Sequence, residues 1–382
     1  MAATDPLPEP DRLAGAPHPR DTARVFGQAA AEAEFLDAFR QGRLHHAWML
    51  TGARGLGKAT LAWRIALFLL ATPEEDGGGG GGLFGAPVPP QTLDIDRDHP
   101  VARRLRALAE PRAFLLRRAP NDKASALAQV ITIGEVRRLR DFLGLSAADG
   151  GRRVVIVDSL DEMNVAAANG LLKMLEEPPK GVTFLLVSHQ PARLLPTIRS
   201  RCRELRLAPL APEALAAALA QAGADVAPGA EVALAELAGG SAGEAFRMTE
   251  LDGLQLYARL VALLADLPGL DRPRLAALAD AAAARGAAET FDLILALLDL
   301  FLSRLARAAA SRQLPPEAAP GEAALFTRLA PDLRAARLWA EQAQGLTQRA
   351  RRGKAVNLDP AALLMDILFR IDETAGQLAT PG

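Results

Sequence analysis

The chain has 382 residues, a length that suggests two or three domains with room for a full hydrophobic core. A formal net charge of -1 argues against a polyanion binder working through overall charge, and 50% hydrophobic residues with only 4% aromatics favour helices packed through small and aliphatic side chains. The single cysteine, Cys202, excludes an internal disulfide and a Cys-based structural zinc site within the chain.

Met1 to Arg20 is Pro-rich and polar, without a signal pattern, and reads as a loose arm. Val25-Phe26-Gly27-Gln28 leads into a helix over Ala30 to Arg40, with Phe35, Leu36 and Phe39 on one face. Ala47 to Thr51 then reads as a short buried strand and Thr60 to Leu70 as an apolar helix. Between them lies Gly52-Ala53-Arg54-Gly55-Leu56-Gly57-Lys58, a G-x-x-x-x-G-K loop in the strand-to-helix setting that a phosphate loop requires. Gly52, Gly55 and Gly57 let the backbone turn its N–H groups toward one point at a helix N-terminus, where a phosphate is favoured, and Lys58 is placed to reach β- and γ-phosphates.

The next position departs from that motif. A working loop carries Ser or Thr there as a Mg²⁺ ligand, whereas Ala59 has only a methyl group. Thr60 follows, but one helical step turns it roughly 100° away. The loop is therefore expected to hold ATP weakly at best. The plainer alternative is a tight turn that only joins strand to helix.

Gly77 to Gly82 reads as a flexible linker, because no strand precedes it and no Lys-bearing helix follows. Residues 83–125 are poorly patterned, apart from a short strand over Ala113 to Arg117. Val130 to Ile133 is expected to be a strand and Glu135 to Leu145 a helix, whose Arg137, Arg138 and Arg140 read as a solvated face. Val154 to Asp158 is an apolar strand ending in an acid, the position from which a carboxylate normally helps hold Mg²⁺ after a phosphate loop. Asp161 and Glu162, further along, are expected to be solvent-exposed. Val165 to Glu177 forms a helix stopped by Pro178-Pro179, and Val182 to Ser188 is the next buried strand. His45, His46 and His189 read as structural or surface residues, since adjacent side chains in an extended chain point to opposite sides and do not easily share a metal.

Strand and helix alternate over residues 44–207, which predicts an α/β fold with a parallel sheet covered by helices. Beyond Pro209 only helical patterns remain: Pro212 to Ala222, Ala230 to Ala238, and longer amphipathic helices over 251–382. Phe291, Ile294, Leu295, Leu298, Phe301, Leu302 and Leu305 form one apolar stripe, and Leu364, Ile367, Leu368 and Ile371 another. Both read as bundle core and not as a cofactor site, and the bundle is expected to drive oligomerisation through them. The longest apolar runs contain acids and are too short to span a bilayer, so a soluble, cytoplasmic chain without membrane contact is expected.

Asn169-Gly170-Leu171-Leu172-Lys173-Met174-Leu175-Glu176-Glu177-Pro178-Pro179, followed by Ser200-Arg201-Cys202, resembles the bacterial DNA polymerase III clamp loaders of the AAA+ class, and among them the delta-prime kind. The likeness runs from about Val25 to Leu210 and more weakly beyond. It implies a loose arm over 1–20, an AAA+ P-loop domain over 21–210, a helical lid over 211–250 and a collar-like oligomerisation domain over 251–382. It also implies that Ser188 is the small polar sensor position and that Arg201, with Ser200 and Cys202 at a subunit boundary, acts on a neighbour's ATP. The ATP-hydrolysing gamma/tau kind would carry Ser or Thr at 59, Glu at 159 and an arginine at 243, where this chain has Ala59, Ser159 and Gly243. The family's zinc module is not expected here.

The resemblance thus implies a stator-like component of the DNA polymerase III holoenzyme without ATPase activity of its own. Its partners would be gamma/tau and delta subunits and, through the complex, the sliding clamp and primed DNA. A gamma/tau-type motor is the first alternative. A P-loop phosphotransferase is the second, and it would need an acceptor pocket with a base, for which the helical half offers no motif.

Overall fold

The computed structural model describes residues 9–72, 90–121, 126–144 and 151–379; the Gly77–Gly82 run lies outside them. Five strands form the sheet: β1 (Ala47–Thr51), β2 (Ala113–Leu116), β3 (Arg153–Val157), β4 (Val182–Ser188) and β5 (Arg203–Arg206). Their order is β2-β3-β4-β1-β5, and every pairing is parallel. Parallel neighbours need crossovers, and the helices that make them cover both faces.

The strand side chains divide by alternation. Trp48, Leu50, Val154, Ile156, Leu185, Val187 and Leu205 pack on one face with α1 (Ala29–Arg40), α2 (Lys58–Ala71) and α3 (Pro100–Arg106). Ala47, Met49, Val155, Val157, Phe184 and Leu186 pack on the other with α4 (Ile133–Gly144), α5 (Val165–Glu176) and the short α6 (Pro196–Arg199). β1 and β4 are buried along their whole length, as expected of central strands. A parallel α/β layer followed by helices alone is the α/β arrangement that the strand-helix alternation predicts.

Two compact units make up the chain: Met1–Gly223 with Ser241–Gly243, and Ala224–Gly240 with Glu244–Gly382. The first therefore takes in α7 (Pro212–Ala222), a helix the sequence reading assigns to a lid. The second holds α8 (Glu231–Ala238), most of α9 (Ala242–Glu250), α10 (Gly253–Leu264), α11 (Arg272–Ala283), α12 (Ala288–Ser311), α13 (Glu322–Leu329), α14 (Leu333–Ala355) and α15 (Pro360–Ala379). No described helix is long and apolar enough to cross a membrane.

Several expectations need correction. Val130–Ile133 is not a strand: only Ile131 makes a bridge, to Met163, because the Thr132 carbonyl already accepts from Glu135 and Val136 at the start of α4. β5 has no apolar run to announce it, since only Leu205 points inward and the strand is held through Arg203 and Glu204. The loose-arm reading fails for residues 9–20. His18 is 1% exposed, lies edge-on to Trp63 at 6.0 Å and sits 3.2 Å from Asp11, which also pairs with Arg117 at the end of β2.

The second unit buries both apolar stripes within itself: Phe291, Ile294, Leu295, Leu298, Phe301, Leu302 and Leu305 along α12, and Leu364, Ile367, Leu368 and Ile371 along α15. The stripes are core, so an oligomer interface on this unit has to use other residues.

A buried ionic knot ties the same core. Arg304, 2% exposed, donates through Nε and Nη2 to the two Glu322 oxygens at 3.1 Å each, through Nη1 to Glu236 at 2.9 Å and through Nη2 to the Pro316 carbonyl at 2.7 Å. Glu322 also accepts from Tyr257 Oη and, at 2.7 Å, from the Ala318 amide. Removing one member leaves a buried charge without its counter-ion. Glu322→Ala should therefore cost about 3–5 kcal/mol. Asp366→Ala, which breaks the exposed pair with Arg349, should cost about 0–1 kcal/mol. Urea denaturation of the full chain measures both, and equal small losses would refute the assignment.

Candidate functional site

The phosphate-loop sequence leaves β1 at Gly52 and enters α2 at Lys58. Gly52, Gly55 and Gly57 all have positive φ, and Gly57 caps the helix in the left-handed region, so glycine is required at each turn of the loop. Leu56 points down into the core.

Lys58 is 3% exposed, and its Nζ donates to the carbonyls of Gly52, at 2.8 Å, and Ala53. Burial brings its pKa down to about 8, with Asp158 and Asp161 opposing that fall and Arg54 adding to it. The ammonium thus stays largely charged at neutral pH while bonded to the loop's own backbone. Asp158 follows β3, and its N–H donates to the Leu116 carbonyl at 2.9 Å. Burial, then Asp11 and Glu162, push its pKa up to about 7 against Lys58 and Arg117, so near neutrality it is about half protonated.

Ser188, at the end of β4, is fully buried and donates to Asp161 Oδ1 at 3.0 Å. The same carboxylate accepts the Gln190 amide at 3.0 Å and, through Oδ2, the His189 amide at 2.5 Å. Asp161 is therefore a clamp between the turns after β3 and β4, not the exposed acid expected from sequence. Its signal there was slight: an acid three residues past the strand end. Glu162 is likewise half-buried, paired with Arg118 at 2.9 Å and with Arg54 at 3.7 Å. Ser159 is 2% exposed, and its hydroxyl has no partner among the described residues.

Against the loop packs Ser241–Gly243, which belongs to the same compact unit. Ser241 Oγ donates to the Arg54 carbonyl at 2.9 Å, and Gly243 N donates to the Gly55 carbonyl at 3.2 Å. A Cβ on Gly55 would collide with Ser241 Oγ and stand 2.8 Å from Gly243 N; one on Gly243 would stand 3.0 Å from Gly55 Cα. Gly243 thus packs closely on the loop backbone, and a side chain there would have to push Gly55 aside, beyond the absence of an arginine that the sequence makes visible. Ala59 sits in the first turn of α2 and offers no oxygen.

The histidines are structural. His45 and His46 stack with ring centroids 4.3 Å apart, which corrects the expectation that they point to opposite sides. Each is nevertheless taken by backbone: His45 Nδ1 by the Ala47 amide at 3.1 Å, and His46 Nε2 by the Leu175 carbonyl at 3.1 Å. Burial, with Lys58 and Arg54, brings His189 down to about 4, so it is neutral. No group of three or more His, Cys, Asp or Glu among the described residues could hold a metal ion.

Ser200, Arg201 and Cys202 lie elsewhere. They join α6 to β5, and β5 begins in register with Trp48, near the start of β1, whereas the loop leaves its far end. Four residue steps along the chain, from Trp48 to Gly52, separate the two places by roughly 13 Å. Arg201 Nη1 donates to the Thr197 carbonyl at 2.9 Å and Nη2 pairs with Glu176 at 2.9 Å; the side chain remains 36% exposed. Burial pushes the Cys202 thiol up to about 12, which makes it unreactive.

The raised Asp158 carboxyl gives a pH-dependent test. Its folded pKa lies above the unfolded value, so its ionised form weighs against folding increasingly as pH rises from about 4 to about 7. Asp158→Asn should leave the melting temperature almost unchanged at pH 4 and stabilise by on the order of a few kcal/mol at pH 8. Calorimetry at both values checks the sign, and a loss of stability at pH 8 would contradict it.

Residues 102–211 match the family described as "DNA polymerase III, delta subunit". The chain is 37% identical over 157 residues to the DNA polymerase III subunit delta' of Pseudomonas aeruginosa, covering 41% of each protein. It is 30% identical over 228 residues to that of Escherichia coli K12, covering 60% of this chain and 61% of that one. The match thus spans about two-fifths to three-fifths of the length of these relatives. A DNA polymerase III gamma subunit-related protein from Thermotoga maritima aligns with 89% of the chain and 99% of its own length, at 18% identity and a TM-score of 0.39. Over part of its length, and within residues 102–211 in particular, the chain is thus similar to DNA polymerase III delta-prime subunits.

Proposed function

We propose that the chain is a stator-like, non-hydrolysing subunit of the DNA polymerase III clamp loader. It would assist ATP-dependent placement of the sliding clamp on primed DNA, beside gamma/tau and delta subunits in the cytoplasm. The domain reading goes with this: an AAA+ P-loop domain over 21–210, a lid over 211–250 and a collar-like domain over 251–382. The observation that carries the proposal is the separation of Arg201 from the chain's own phosphate loop by the length of β1. An arginine there cannot serve a phosphate at Gly52–Lys58, but it is exposed to serve one on a neighbour.

The loop supports the same division of labour. Phosphoryl transfer needs a metal held at the β,γ-oxygens and a positioned nucleophile. Here position 59 offers no oxygen, Asp158 is half protonated near neutrality, and Ser159 cannot take a proton from water. Ser188, the sensor position, gives its hydroxyl to Asp161, and Ser241 and Gly243 donate to the loop's own carbonyls. Gly52, Gly55, Gly57 and Lys58 still form a phosphate-shaped turn. ATP or ADP would bind there weakly, Lys58 exchanging its carbonyl partners for phosphate oxygens.

The isolated chain should therefore show no steady-state ATP hydrolysis above background. Ala59→Thr with Ser159→Glu should not restore it, because Ser188 remains bonded to Asp161 and position 243 remains glycine. A turnover equal to that of a gamma/tau subunit would overturn the non-hydrolysing reading.

In the reconstituted complex Arg201 would meet the neighbour's γ-phosphoryl group, neutralising charge as it passes to water. Such fingers contribute roughly 10³–10⁵ in rate at the site they serve in other phosphoryl-transfer systems. Arg201→Ala should leave assembly intact and lower the ATPase and clamp-loading rates. Arg201→Lys should rescue little, since an ammonium lacks the planar fork of donors. Arg199→Ala is the matched control on the preceding turn. Unchanged rates in a fully assembled Arg201→Ala complex would remove the trans assignment.

A further inference from the structure

We infer that Glu176 is a positioning residue for Arg201, presenting its guanidinium to the neighbouring subunit; this rests on the trans reading of Arg201. The two residues come from different elements. Glu176 is the last residue of α5, and Arg201 follows α6. Both backbones are fixed. α5 is capped at its start by Asn164, which accepts the Ala167 amide at 2.8 Å, and it is anchored through buried Leu171 and Leu175. α6 is pinned by Ile198, 1% exposed in the same core.

Against this frame the guanidinium is held from two directions. Nη2 pairs with Glu176 Oε1 at 2.9 Å, while Nη1 donates to the Thr197 carbonyl at 2.9 Å and, more weakly, to Ser200 Oγ at 3.4 Å. Ser200 Oγ itself donates to the Thr197 carbonyl at 3.1 Å, which closes the small network. Among the described residues Nε has no partner. The group is thus oriented by its inner edge and keeps donors free for an incoming oxyanion.

Stability does not account for the carboxylate. An acid at a helix C-terminus faces the negative end of the helix dipole. Glu176 is followed by a second acid, Glu177, and Lys173 is the sole basic residue in the last turn. The pair is also exposed, at 36% for Arg201 and 42% for Glu176, and pairs of that kind add little to folding. What it does supply is order. An unpaired arginine samples many rotamers, and each must be lost when the side chain engages a phosphoryl group. Holding it in one geometry beforehand removes that loss at the moment of transfer.

The test uses the complex reconstituted from this chain and its gamma/tau and delta partners, with kcat and KM for ATP measured separately. Glu176→Ala and the isosteric Glu176→Gln should leave assembly, the melting temperature and KM unchanged. Glu176→Ala should lower kcat by roughly threefold to tenfold. Glu176→Gln, which keeps the side chain's shape but removes the charge that attracts Nη2, should lower it by a similar factor. Glu176→Ala combined with Arg201→Ala should be no slower than Arg201→Ala alone, because the first residue acts only through the second. If Arg201→Ala lowers kcat but neither Glu176 variant does, or if the two losses add, the positioning role is overturned and the trans reading stands. If Arg201→Ala itself leaves kcat unchanged, both fall.

Discussion

Strand β1 is hydrogen-bonded in parallel to β4 on one side and β5 on the other, and that double pairing decides which groups can meet. A parallel sheet gathers the turns after its strands at one edge and the turns before them at the other. The phosphate-loop sequence, Asp158 and Asp161 follow strands, Ser188 ends one, and all share one edge. Ser200–Cys202 precedes β5 and lies at the opposite one. Topology alone therefore keeps Arg201 from the loop of its own chain. It also explains why Glu176, at the C-terminal end of a helix that runs back between β3 and β4, arrives beside Arg201 and not beside Lys58.

At the loop edge the buried polar groups mostly satisfy one another. Lys58 donates to two loop carbonyls, and Asp161 collects one hydroxyl and two amides. A ligand that claimed Lys58 or Ser188 would have to replace those bonds with better ones, and only the surplus would appear as affinity. The close approach of Gly55 and Gly243 works in the same direction. Gly55 has no room for a side chain and Gly243 is in tight contact with it, so the segment and the loop form one packed backbone surface. An arginine introduced at 243 would first have to displace that contact before it could reach any phosphate.

The parts legible in sequence are those whose signal is local. β1 and β4 announce themselves as apolar runs because both their faces are buried, and the loop because its spacing is strict. β5 is invisible because an edge strand needs little apolar surface, and Arg203 and Glu204 gain their partners, Trp48, Glu34 and Thr51, only in the fold. The Pro-rich start misleads for a related reason. His18 and Asp11 look like loop residues until Trp63 and Arg117, far along the chain, are brought beneath them. Asp161 belongs to this group, since its three donors come from the turn after β4. Composition records what a residue prefers, but long-range pairing decides which polar groups are buried together.

The second unit shows the converse, where a strong local signal invites too large a conclusion. The stripes on α12 and α15 have the spacing of an interface as much as of a core, because periodicity reports only that a face leaves water. In this chain α14 packs on α12, and α11 and α15 pack together, so each stripe is satisfied internally. The Arg304–Glu322–Tyr257 knot adds directional bonds to this core, and its cost on breaking is large because both ions are out of water. The large apolar residues that this unit leaves exposed, such as Leu333, Val356, Leu358 and Phe369, are not members of either stripe. The apolar burial that holds this unit together is thus accounted for by its own helices.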